Sequence, residues 1–302
     1  MSTVHAGRLP EDAKSNRVAV AGGELFVAEW GTGSARKMLG IHGITGSCVS
    51  LAPLGRRVAP EFDLFAPDLR GRGQSASLPG PFGMRAHADD CAAVIRELAE
   101  PPAVVLGHSM GAYVAVVLAA TYPELVERLV LADGGLPLPL PEGFDQIDPD
   151  TVIDMVLGPA IERLSVVFPS VEDYLDFWRA HPAMDEWNDD VEAYFGYDLQ
   201  PVEGGYRSRV VEHAVRVDGA QHMTEPTLIA DALERIACPI SLVRAPRNLI
   251  NQPAPLLPDD VVAEWQTRLP ALKDQMVDDV NHYTLLLGAR GADAVASSLV
   301  GG

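Results

Sequence analysis

Ser109 stands in Gly107-His108-Ser109-Met110-Gly111, a G-x-S-x-G pentapeptide with an apolar run on each side. Ala103-Val104-Val105-Leu106 before it reads as a buried parallel strand, and Ala112 to Ala120 after it is apolar all round, which suits a buried helix. Between a strand and a helix this pattern is a nucleophile elbow. The sharp turn lifts the serine hydroxyl above the sheet and leaves no room for a Cβ on either flank. A serine hydroxyl is a weak nucleophile at neutral pH and needs a base within hydrogen-bond reach. Histidine can take that proton and return it. The chain has eight histidines. His5 lies near the N-terminus, His42 and His108 lie in loops beside the serine, and His87 falls in what reads as a surface helix. His181, His213 and His222 fall in a later inserted region. His282 alone follows a predicted C-terminal strand, and it is the candidate base.

The elements that must position these groups alternate strand and helix with one interruption. A hairpin is expected from Arg17–Val20 and Leu25–Ala28, turning at Gly22-Gly23. Parallel strand-helix units then run to Asp133. Prolines in Gly134-Gly135-Leu136-Pro137-Leu138-Pro139-Leu140-Pro141 rule out a continuing helix or a central strand. From there to about Thr224 the pattern is helical, with no clear buried strand. A strand resumes at Pro239–Arg244, followed by a helix around Asp259 to Leu269, a last strand supplied by Leu272 to Val280, and a closing helix from Tyr283 to Val300.

Several separated pieces carry a resemblance. Met38-Leu39-Gly40-Ile41-His42-Gly43 looks like a central strand ending in a His-Gly pair. Asp68-Leu69-Arg70-Gly71-Arg72-Gly73-Gln74-Ser75 looks like D-x-R-G-x-G-x-S. Arg128 to Asp133 looks like the strand after the elbow helix, and Asp278-Asp279-Val280-Asn281-His282 like the loop bearing the base. Together with the elbow, their order and spacing resemble the α/β-hydrolase superfamily over nearly the whole chain, and within it the capped serine hydrolases of esterase or lactonase type. The resemblance implies an α/β fold with a mostly parallel central sheet flanked by helices and an inserted helical cap. The core would be residues 1–134 and 225–302, and the cap 135–224. It also implies a Ser109–His282–acid triad, with an oxyanion hole made by the backbone N–H groups of Met110 and Ile44. Thr45 or Ser47 could add a hydroxyl donor.

The acid departs from the commonest family pattern. Asn248 stands where a carboxylate is expected after the strand Pro239–Arg244, and no carboxylate follows until Asp259. Haloalkane dehalogenases and some related hydrolases carry the acid at the end of the strand after the elbow helix, where this chain has Asp133. The chain order Ser109, Asp133, His282 is kept. Asp133 is therefore the expected acid, ahead of Asp279. A serine rather than an aspartate at the elbow argues against dehalogenase and epoxide hydrolase chemistry. The expected reaction is hydrolysis of an ester or lactone of a small apolar substrate. Amide, thioester or C–C hydrolysis, perhydrolysis and acyl transfer use the same constellation, and a non-catalytic ligand-binding protein on the same fold is the alternative of another class.

The inserted region has a composition of its own. Between Gly135 and Thr224 there are 18 Asp and Glu against 5 Arg and no Lys. Phe144, Phe168, Tyr174, Phe177, Trp178, Trp187, Tyr194, Phe195, Tyr197 and Tyr206 all fall there, ten of the chain's nineteen aromatics. They read either as a lid over an apolar pocket or as the insertion's own core. His42, Phe177, Trp178 and Tyr283 are the side chains expected at the substrate.

Composition bounds the rest. The 302 residues, 47% hydrophobic, suffice for one α/β domain with an insertion. No apolar stretch reads as a signal peptide or a membrane span. Cys48, Cys91 and Cys238 are scattered and odd in number, which points to a reduced, cytoplasmic protein. No metal or dinucleotide motif is present, so no cofactor is expected. The net charge of −19 argues against nucleic acid and anionic membrane as partners. The expected partner is a small-molecule substrate, and the oligomeric state is left open.

Overall fold

Strands that are apolar on both faces must be covered on both faces. In the computed structural model, which describes residues 5–33, 36–138, 143 and 146–300, this is how the chain is built. The first half runs β1 (Lys14–Val20), β2 (Gly23–Trp30), β3 (Arg36–Ile41), α1 (Ala52–Val58), β4 (Phe62–Pro67), α2 (Met84–Val94), β5 (Ala103–His108), α3 (Met110–Thr121) and β6 (Val126–Ala132). An inserted stretch follows: α4 (Pro149–Leu157), α5 (Pro159–Glu162), α6 (Val171–Arg179), α7 (Asp189–Asp198), β7 (Leu199–Val202), β8 (Gly205–Ser208) and α8 (Glu212–Thr224); α9 (Leu228–Leu233) then joins the core beside α3. The chain ends with β9 (Ile240–Arg244), α10 (Asp259–Arg268), β10 (Lys273–Met276), α11 (Thr284–Leu287) and α12 (Ala289–Val300).

The sheet has eight strands in the order β1-β2-β4-β3-β5-β6-β9-β10. β1 and β4 flank β2 in antiparallel register, and every other pair is parallel. Successive side chains of a strand point to opposite faces. Accordingly Val105, Leu129 and Leu131 enter the core on one face, with α2 and α3, while Val104, Leu106 and Val130 enter the core on the other, with α1 and α12. No helix among the described residues is long and apolar enough to cross a membrane.

The structure departs from the sequence expectations in four places. The insertion contains a strand pair, β7 and β8, joined through Gly204 and Gly205 at positive φ. Four residues per strand, with Pro201 among them, are too few to show an alternating pattern. The last strand is shorter than Leu272–Val280 because the chain turns away at Asp279, whose φ is +63°. The closing helix is broken in two at Gly288. His87, expected on a surface helix, is fully buried because α8 lies against the start of α2. Pro139–Pro141, Phe144 and the side chain of His222 lie outside the described residues.

Most aromatics of the insertion pack on one another. Trp178 stacks on Phe195 at 4.2 Å between centroids, Trp187 lies on the same ring at 6.0 Å, and Tyr174 meets Phe168 edge-on at 4.9 Å. Polar links tie the insertion to the loop after β4 and to α11. Tyr197 Oη donates to Asp68 at 2.6 Å, Asn188 Nδ2 to the Leu287 carbonyl at 3.1 Å, and Val211 N to the Gly71 carbonyl at 2.8 Å.

Candidate active site

Ser109 sits between β5 and α3 with φ +54° and ψ −123°, a conformation that L-residues rarely adopt. Both flanking glycines are required by space. A Cβ at Gly107 would lie 2.2 Å from the Gly111 carbonyl oxygen, and one at Gly111 would lie 2.2 Å from that of Ile41. Asp133 follows β6 at φ +47° and is fully buried. Its Oδ2 accepts from His282 Nδ1 at 2.7 Å, and its Oδ1 accepts from Ala245 N at 3.2 Å. A carboxylate only accepts, so Nδ1 of His282 carries a hydrogen, and in the neutral ring the lone pair is then on Nε2. His282 and Ser109 line the same pocket.

The loop bearing His282 is held at both ends. His282 N donates to the Arg247 carbonyl at 3.1 Å. Asn281 Oδ1 accepts from Tyr283 N at 2.9 Å and Thr284 N at 3.0 Å, and its Nδ2 reaches the Ala183 carbonyl of the insertion at 3.0 Å. Asn248 instead turns on its own loop, accepting from Ile250 N at 3.0 Å and Gln252 N at 3.1 Å. Asp279 is 78% exposed and pairs loosely with Arg247 at 4.0 Å.

Met110 opens α3, where helix geometry leaves its N–H without an intrahelical acceptor. Ile44 lies in the turn closed by Gly46 N on the Gly43 carbonyl at 3.0 Å. Two buried side chains hold this turn. His42 donates Nδ1–H to the Gly43 carbonyl at 2.8 Å and accepts from Leu69 N at Nε2, 3.0 Å. Arg72 donates Nε–H to the Ile44 carbonyl at 2.9 Å. Arg72 is in turn paired with Asp218 of α8 at 2.5 Å, and Asp218 also takes His87 Nε2 at 3.0 Å and Gly83 N at 2.6 Å. Burial pushes the Asp218 carboxyl up, but Arg72 and His87 outweigh it and hold it at about 2.

Sequence reasoning missed Arg72, Asp218, His87 and Asn281. The signal for the first was a second arginine in the loop after β4, while Asp218 and His87 act through contacts distant in the chain and Asn281 joins a local turn to the distant Ala183 carbonyl. Three of the four side chains expected at the substrate lie elsewhere. His42 is fully buried with both ring nitrogens occupied, Trp178 is closed into the insertion's aromatic core, and half-buried Phe177 packs edge-on against Phe168 and Trp178. Tyr283 does line the pocket, joined by Tyr194. Thr45 is also on the wall, whereas Ser47 is buried behind it.

Desolvation lowers His42 to about 3 and His108 to about 3, and His108 spends its Nε2–H on the His282 carbonyl at 3.0 Å. Between about pH 6.5 and about pH 3 the unfolded chain binds a proton at each ring and the folded protein does not, so stability is present above this window and lost as pH falls through it. The expected slope is about 1.4 kcal/mol per pH unit for each ring. Urea unfolding at a series of pH values checks this. A flat stability from about pH 6 to about pH 4 would contradict neutral burial of these histidines.

Two cavities meet at Ser109. One, of about 40 Å³, includes Thr45, Tyr194, His282 and Tyr283 in its wall. The other, of about 130 Å³, includes Met110, Tyr113, Val152 and Ile153. Ile44, Leu157 and Leu249 border both.

An elbow serine, a buried Asp–His pair and a loop facing them across a pocket, at the ends of parallel strands, define a class also found by comparison. The family described as alpha/beta hydrolase fold matches residues 38–158. The 2-(acetamidomethylene)succinate hydrolase of Mesorhizobium japonicum is 30% identical over 269 residues, which is 89% of this chain and 88% of that one. A crystal structure of E-2-(acetamidomethylene)succinate hydrolase matches with a TM-score of 0.79 at 24% identity, covering 96% of this chain and 98% of the other. The thioesterase domain from the curacin biosynthetic pathway matches at 0.75 with 21% identity, over 96% and 99%. The chain belongs to the α/β-hydrolase family and is a hydrolase.

Proposed function

We propose that this hydrolase cleaves carboxylic esters or lactones of small apolar acids through an acyl-enzyme on Ser109. The observation that carries the reading is the 2.7 Å hydrogen bond from His282 Nδ1 to buried Asp133, which leaves Nε2 as a proton acceptor on a pocket shared with Ser109. In this reading residues 135–224 are a cap on a core of 1–134 and 225–302. Ser109 Oγ attacks the carbonyl carbon and its proton passes to His282 Nε2, while Asp133 stabilises the imidazolium. The N–H groups of Ile44 and Met110 receive the oxyanion. Collapse breaks the bond to the alkoxide, which leaves with the proton from His282. Water then gives a proton to His282 Nε2 and attacks the acyl carbon; collapse breaks the bond to Ser109 Oγ, which takes that proton back from His282, and the acid is released.

The apolar substrate is supported by the walls. Among the described residues neither cavity is lined by Lys or Arg, so no cation there would pair with an anionic substrate. An amide is the second reading, favoured by the 30% identity over 89% of the chain to a relative whose named substrate bears an acetamido group. The test is intact-mass analysis after mixing with an activated ester, beside steady-state rates on a matched ester and amide. A pre-steady-state burst with one acyl group on Ser109 is expected, with the ester the better substrate. Turnover without any acyl adduct in a Ser109-dependent burst would defeat the mechanism, and a faster amide would select the second reading.

A further inference from the structure

The two cavities meeting at Ser109 are not equivalent, and the geometry points to an assignment: the 130 Å³ cavity holds the acyl group and the 40 Å³ cavity holds the alcohol. This rests on the acyl-enzyme reading above. The carbonyl carbon of a tetrahedral intermediate carries four substituents. One is Ser109 Oγ, and one is the oxyanion facing the N–H groups of Ile44 and Met110. The leaving oxygen must lie at His282, which gives it the proton. His282 lines the small cavity and not the large one. The remaining substituent, the acyl chain, therefore enters the large cavity, where Met110, Tyr113, Leu138, Val152, Ile153 and Leu256 form the wall. Asp218 touches this wall, but its carboxylate is taken up by Arg72, His87 and Gly83 N.

The volumes set the substrate class. An apolar cavity of about 150 Å³ accommodates benzene, so a space of 130 Å³ suits an apolar acyl group of about six carbons. A single water needs about 10–15 Å³, so 40 Å³ suits an alcohol of two or three heavy atoms, and later the hydrolytic water. The substrate assigned is a methyl- or ethyl-type ester of a medium-length apolar acid.

The test is a matrix of methyl and benzyl esters of acetate, hexanoate and decanoate, followed by acid release, with intact mass recorded in parallel. Each methylene buried should raise kcat/KM about fourfold, so methyl hexanoate should exceed methyl acetate by about two-hundred-fold. Methyl hexanoate should also exceed benzyl hexanoate and methyl decanoate. Ile153→Phe fills the large cavity and should lower the hexanoate-to-acetate ratio by about tenfold or more, without moving the methyl-to-benzyl ratio. Val156→Trp makes the same test from a residue that is 54% exposed at that cavity's rim, where folding is not at stake. Variants that shift the methyl-to-benzyl ratio instead would reverse the assignment. Acylation of Ser109 with no dependence on acyl length would overturn the assignment alone, whereas no acylation by any ester would overturn the acyl-enzyme reading with it.

Discussion

Asp133→Asn is expected to lower kcat by about ten-thousand-fold while Asn248→Ala stays within about twofold of the parent enzyme. Asp133 has no solvent exposure, and both of its oxygens are in use, one on Ala245 N and one on His282 Nδ1. An asparagine can satisfy Ala245 N with its carbonyl oxygen, which turns its NH₂ toward the histidine. The imidazole must then accept at Nδ1, so the hydrogen moves to Nε2 and the proton of Ser109 has nowhere to go. The imidazolium also loses its counter-charge in a buried site. Asn248 bonds only within its own loop, so shortening it touches no group in the proposed chemistry. Single-turnover acylation with urea unfolding alongside checks both variants. An Asp133→Asn enzyme that folds and retains a tenth of the rate would remove Asp133 from the triad, and a collapse in Asn248→Ala would put the usual family position back in its place.

What could be read in advance was whatever is written locally. The elbow is legible because its demands are steric and fall within five consecutive residues, and the strand-helix alternation because buried parallel strands are apolar without interruption. The expected roles of Asp133 and His282 came from the resemblance, which puts an acid and a base at the ends of those strands, and the chain order Ser109, Asp133, His282 agreed with it. The aromatic-rich insertion was ambiguous for a physical reason: a ring at helical spacing is apolar whether it faces a ligand or another ring. Trp178 and Phe177 face other rings, while Tyr194, one residue before Phe195, faces the pocket. His42 was legible as part of the loop but not as its fastener, because its second partner, Leu69 N, comes from the loop after another strand. His87 and Asp218 were illegible for a similar reason. Each sits in a helix of mixed polarity, and only the docking of α8 against the start of α2 buries both.

That docking leads to the second large effect, on Arg72. Its guanidinium joins two tasks: NH1 faces Asp218 at 2.5 Å, and Nε fixes the carbonyl of Ile44, the residue whose N–H is proposed to meet the oxyanion. Arg72→Lys separates them. A single ammonium keeps the charge opposite Asp218 but cannot also reach Ile44, since a lysine offers a point charge rather than a planar fork. The expected result is a kcat about a hundredfold lower with KM little changed, because a loop misplaced by about 1 Å weakens an interaction made chiefly in the transition state. Arg72→Leu should lose the same catalytic factor and in addition about 3–5 kcal/mol of stability, since Asp218 is left buried with its cationic partner removed. Steady-state kinetics and urea unfolding on the two variants read these effects separately. If Lys restores full kcat, the arginine serves only as the counter-charge that docks the insertion. If Lys is as slow as Leu but unfolds near the parent's urea midpoint, then the Ile44 turn is held for catalysis by the same side chain that pairs with Asp218 of the insertion.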